Sequence, residues 1–181
     1  PTDVKALKHL SKAINLEDPK IIDLSADPRI AFCLMGGGTL VHWVNEYYLR
    51  AFGCKEFHIY DNDVKSYQKS IDDVNDRNDG SFGTLTMKYE LESYLHPDAI
   101  KDAYGVEIEI NDFPNDDKKA VPKLFAEVYS AKMNYDGIMK DNTAKAYLSD
   151  KAFSHMTAER IKERDPNVEI KNWLVKIESM F

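Results

Sequence analysis

Cysteine is scarce in this chain: Cys33 and Cys54 are the only two among 181 residues. They form no CxxC pair, so spacing supports neither a zinc site nor a dithiol redox motif, and both are expected in apolar surroundings. Such sparing use of thiols fits a reducing cytoplasm. Long apolar runs are missing as well. No stretch approaches the roughly 20 residues that a bilayer requires, and no signal-peptide pattern is visible. The chain also lacks a basic excess, with 24 Lys and Arg against 31 Asp and Glu, a net charge of −7. A surface that binds phosphate by charge alone normally shows the opposite balance. Cations held by some of the carboxylates would reverse the local field, which keeps nucleic acid open as a partner. A hydrophobic share of 43% with 30% charged residues is that of a globular chain, and the length suits one domain. There is no internal repeat and no low-complexity segment.

Elements alternate in the first half. Thr2 can cap a helix carrying Val4, Leu7, Leu10 and Ile14 at helical spacing. After a turn-rich connection, the apolar run 30–35 reads as a buried strand closed by Gly36, Gly37 and Gly38. Thr39 then caps a helix with Leu40, Val44, Tyr47, Tyr48 and Ala51. Residues 56–60 form a short strand, and 65–78 a polar helix ending in an Asn-Asp-Gly turn. A weaker strand at 83–87 leads into a helix over 88–95, which His96-Pro97 stops, and Pro97 opens the next helix through Tyr104. Strand, helix, strand, helix is the order of a parallel sheet with crossover helices. Beyond Gly105 a strand over 106–110 precedes a soft acidic loop, 111–119. Helices come next over 121–133, 143–154, 157–163 and 170–180, with Asp165-Pro166 as a break.

The most informative stretch is His58-Ile59-Tyr60-Asp61-Asn62-Asp63. It sets two carboxylates two apart where a hydrophobic strand gives way to a loop, the edge at which open α/β sheets hold ligands. Carboxylate oxygens suit magnesium or manganese, which keep several waters and take few protein groups. The same sequence also makes an ordinary solvated turn. A second acidic pair, Glu90 and Glu92, flanks the stripe of Leu91, Tyr94 and Leu95 at about 100° to either side on a helix, so one of the two is expected to reach the site. Periodicity does not choose between them. The run Gly36-Gly37-Gly38 offers backbone N–H groups to an anion ahead of the Thr39 cap. It lacks the Lys-Ser/Thr of a Walker loop, and a tight turn explains it equally well.

The order of these motifs resembles the TOPRIM domain of the OLD (overcoming lysogenization defect) family, nucleases that usually succeed an ABC-type ATPase in the same chain. In that family a first strand ends in Glu-Gly, and an Asp soon after opens the first helix. Pro1-Thr2-Asp3-Val4 is similar to the residues just after that Glu-Gly, so the chain is expected to begin after the family's catalytic glutamate and first strand and to be inactive alone. Residues 30–38 resemble the second strand and its glycine turn. Asp61 and Asp63 resemble the DxD pair, and residues 88–95, KYELESYL, resemble a motif of the form REIENYL. Ser93 stands there for the usual Asn, and the likeness favours Glu92. Lys145, with Leu148, Met156 and Thr157, resembles a late motif that supplies a cation.

The resemblance implies an α/β fold, a TOPRIM (Rossmann-like) parallel sheet with crossover helices and a helical C-terminal appendage. Residues 1–110 would be the catalytic core and 111–181 a helical extension packed on the same domain. It implies a metal-dependent DNA endonuclease using two Mg2+ or Mn2+ ions held by Asp3, Asp61, Asp63, Glu90 and Glu92. Asp61, Asp63, Glu92 and Lys145 would carry the chemistry, and Gly36, Gly37 and Gly38 would meet DNA phosphate. DNA and an ABC-type ATPase portion, in the same or an associated chain, are the implied partners, with a dimer for the intact protein and antiphage defence as one setting. Two alternatives remain. One is a degenerate TOPRIM module that binds DNA or a partner without cutting. The other is a HAD-type phosphatase, because YDNDV fits a strand leading into DxDx[VT].

Overall fold

A computed structural model describes residues 2–35 and 39–181. Three glycines whose backbone the sequence offers to a phosphate, Gly36, Gly37 and Gly38, therefore lie outside the described residues. The fold is mixed α/β and mostly helical. Its elements are α1 (Thr2–Glu17), α2 (Thr39–Glu46), β1 (Phe57–Tyr60), α3 (Tyr67–Asn75), β2 (Phe82–Leu85), α4 (Pro97–Tyr104), α5 (Val121–Lys132), α6 (Asp141–Tyr147), α7 (Ala158–Arg164) and α8 (Glu169–Glu178).

Among the described residues the sheet has two strands. β1 and β2 run parallel, with Phe57 opposite Phe82 and Tyr60 opposite Leu85, and α3 is the crossover between them. Ile71 and Val74 of α3 are buried against this pair. At Gly83 a Cβ would stand 3.1 Å from Ile71 Cδ1, so a side chain there would have to press Ile71 aside by a few tenths of an ångström. Asn75 completes the joint: its side-chain amide donates to the Gly83 carbonyl at 3.1 Å and accepts from the Gly83 N–H at 2.8 Å.

One apolar core unites the two ends of the chain. Leu10 of α1, Tyr94, Leu95, Ile100 of α4, Phe125 of α5, Leu148, Phe153 and Ile170 of α8 are all buried in it. α1 presents Ala6, Leu10 and Ile14 at four-residue spacing, and also the buried Ser11. The Ser11 hydroxyl donates to the Lys8 carbonyl and accepts from the Leu24 N–H, so this polar group carries no unsatisfied penalty. α4 is set by local chemistry. His96 caps it through an Asp98 N–H, Pro97 takes the first turn, and Gly105 closes it in the left-handed region at φ 66°.

Several expectations are corrected. Residues 30–35 form no strand: Ile30, Phe32 and Met35 are partly buried, but Leu34 is 58% exposed and no ladder partner lies alongside among the described residues. Residues 106–110 alternate buried and exposed as a strand would, yet they too have no ladder partner among the described residues, so apolar alternation here marks one-sided contact with the core. Cys33 and Cys54 are exposed, not set in apolar surroundings. The second helix stops at Glu46, because Tyr47 turns to φ 46°. The helix expected over 143–154 is α6, then a π turn (Leu148–Ala152), then a 3-10 turn (Phe153–His155). No helix among the described residues is long and apolar enough to cross a membrane.

Truncating Phe125, which is fully buried, should leave a cavity at the centre of this core. Phe125→Ala is expected to lower unfolding free energy by about 3–5 kcal/mol in a denaturant titration. A loss under about 1 kcal/mol would show that the side chain is not packed as described.

Candidate functional site

The carboxyl ends of the two parallel strands place the acids. β1 delivers Asp61 directly. Beyond β2 the chain stays beside β1: the Thr86 N–H donates to the Tyr60 carbonyl at 2.9 Å, and the Asn62 N–H to Thr86 Oγ1 at 3.2 Å. Asp61 Oδ1 then accepts the Leu91 N–H at 2.9 Å, fastening the acidic end of β1 to the second acidic segment.

That segment is not the α-helix its spacing suggests. Tyr89 donates its N–H to the Asp112 carbonyl at 2.8 Å, Thr86 Oγ1 holds the Lys88 carbonyl at 2.7 Å, and Lys88 pairs with Asp112. These tertiary ties draw the chain out, so Glu90 is extended (φ −150°, ψ 168°) and only a 3-10 turn, Leu91–Tyr94, fits before His96-Pro97. The consequence overturns the expectation that one glutamate faces the site. Glu90 and Glu92 are both buried, 3% and 2% exposed, and both face Lys145 of α6. Lys145 Nζ lies 3.1 Å from Glu90 Oε2 and 3.8 Å from Glu92 Oε2.

Burial dominates the electrostatics. It pushes the Asp61 carboxyl up to about 7; Lys145 pulls the other way, while Asp3, Asp63 and Glu90 add to the rise. Burial likewise raises Glu92, with Glu90, Asp61 and Asp3 opposing Lys145. Glu90 is raised by burial and then by Asp141 and Asp63, and Asp63 by burial and by Asp117. For Lys145, burial alone would lower the ammonium, but Glu92, Glu90 and Asp61 outweigh it and its pKa rises. Thus Asp3 at the start of α1, Asp61 and Asp63 after β1, Glu90 and Glu92 after β2, and Lys145 on α6 share one field. Asp3 and Asp63 are its exposed members.

Two further residues were hidden from sequence reasoning. Asp117 bonds Tyr89 and Lys123 and raises Asp63, and Asp141 raises Glu90, so the acidic loop and the start of α6 form the rim of the same site. The acidic 111–119 stretch was the available signal, but nothing in its spacing pointed to β1. A separate buried group lies at the other end of β1: His58 pairs with Glu56 at 2.8 Å, Arg77 stands 3.3 Å from Glu56, and Trp43 Nε1 donates to Glu56 at 3.3 Å. Burial lowers the His58 pKa, and the cluster joins α2 and the turn after α3 to β1.

The donor set has the chemistry of a hard-cation site. It is all oxygen, and Glu90 Oε1 and Glu92 Oε2 are buried without a hydrogen-bond partner. As they stand, no three His, Cys, Asp or Glu side chains among the described residues are grouped to hold a metal ion. Lys145 stands between the two glutamates, and Asp61 Oδ1 is engaged by Leu91.

Asp61 makes stability depend on pH. Its folded-state pKa of about 7 exceeds the roughly 4 of an unfolded Asp, so this residue's contribution to stability is complete below about pH 4 and is lost as pH rises through 7. Without divalent ions the melting temperature should fall between about pH 4 and 7. Asp61→Asn, which keeps an acceptor for Leu91, should flatten that fall. An equal fall in both proteins would remove Asp61 as its source.

Compared with family models, curated proteins and solved structures, the chain matches none.

Proposed function

We propose that this chain is the catalytic part of a divalent-metal-dependent DNA nuclease of TOPRIM type, akin to the OLD family, working with an ABC-type ATPase portion and dimeric when intact. One observation carries the reading. The end of β1 and the segment after β2 bring acids together with one lysine from α6: the Leu91 N–H bonds Asp61, and Lys145 lies 3.1 Å from Glu90 and 3.8 Å from Glu92. Stability alone does not call for such an arrangement, since burying several carboxylates around one ammonium is costly unless they serve a ligand.

In this reading Asp61, Asp63, Glu90 and Glu92 hold Mg2+ or Mn2+, with Asp3 close by. A bound ion supplies a hydroxide-like nucleophile at neutral pH and neutralises the phosphodiester. The protein's own share is positioning. The Leu91 N–H fixes one Asp61 oxygen and leaves the other for a ligand, and burial of Glu90 and Glu92 excludes water from one side of the site. Lys145 neutralises charge that develops on the phosphate.

A second reading, a module that binds DNA or a partner without cutting, draws support from one fact: the described acids are not grouped around a metal-sized point. Plasmid nicking by the intact protein with Mn2+ separates the two. Asp61→Ala is expected to reduce nicking to background while the protein still folds. Full cleavage by that variant would end the nuclease assignment, and no cleavage by the unaltered intact protein would favour the binding module.

A further inference from the structure

We propose that Lys145 is the site's internal competitor for a divalent cation: its ammonium takes the position between Glu90 and Glu92, and metal binding there frees it for a substrate phosphate. The inference rests on the metal-dependent reading above and adds an order to it, metal first and phosphate second.

Three observations carry it. Lys145 Nζ is near an oxygen of each glutamate, at 3.1 and 3.8 Å, so it occupies the region where both could reach one ion. Each glutamate also keeps a buried oxygen with no hydrogen-bond partner, Glu90 Oε1 and Glu92 Oε2, so the ammonium leaves acceptor capacity unused. A compact divalent ion could take oxygens from both. The mobilities are unequal, too. The glutamate side chains are 4% and 3% exposed, whereas that of Lys145 is 23% exposed and rides on a flexible four-carbon stem. Two cations a few ångströms apart repel, so when a divalent ion binds, the lysine is the partner that can leave.

Calorimetric titration of the intact protein with Mn2+, at about pH 7.5 where the ion stays in solution, tests this without measuring activity. Lys145→Met should bind Mn2+ about tenfold more tightly than the unaltered protein, and Lys145→Arg, whose planar fork can grip both carboxylates, about tenfold more weakly. If Lys145→Met fails to fold, the arginine variant carries the test. Binding by the unaltered protein with no change in the variants, or weaker binding by Lys145→Met, overturns the competition while leaving the metal-dependent reading intact. No Mn2+ binding by the unaltered protein overturns both.

Discussion

Removing carboxylates from water is the dominant constraint here, and a single ammonium makes it tolerable. An isolated buried carboxylate is costly, and a close like-charged neighbour adds to the cost. Lys145 offsets this for Glu90, Glu92 and Asp61 together. It thereby ties α6, from the C-terminal half of the chain, to the segment after β2. The Asp61 contact with the Leu91 N–H does the same between the strands' ends. Remove the ammonium and the acids would have to take up protons, move outward or find another cation. The packing of helices around the small sheet and the chemistry at its rim thus share one dependence.

Much of the architecture was legible in the sequence. α1, α5, α7 and α8 are set by helical spacing, and α4 by Pro97 and Gly105. β1 and β2 arise from short apolar runs at the expected places, and their parallel pairing from the intervening α3. Three failures have a common cause. A strand needs a neighbour, and local pattern cannot say whether one exists; residues 30–35 and 106–110 have the pattern without the neighbour. Residues 88–95 have helical spacing, but bonds to Asp112 and Thr86 keep the chain off a helical path before Leu91, with Glu90 extended.

The site shows the same division between local and distant information. Asp61 and Asp63 could be picked out because two acids just past a strand end are a local signal. That Glu90 and Glu92 both face inward could not, since it depends on where Asp112 lies. Lys145 was singled out by resemblance to a motif; as a lone lysine on a helix it would have passed for a solvated one. The rim residues Asp117 and Asp141 are placed by long-range folding that no spacing rule encodes.

The bonding of Asn75 to Gly83 bears on how the sheet behaves toward other chains. Phe82 and Thr86 send their N–H groups to β1, so Gly83, one residue after Phe82, faces away from it. Asn75 consumes both main-chain groups there, as a neighbouring strand would. At Gly83 the outer border of β2 is therefore capped against strand-by-strand accretion, a frequent route to aggregation for exposed borders.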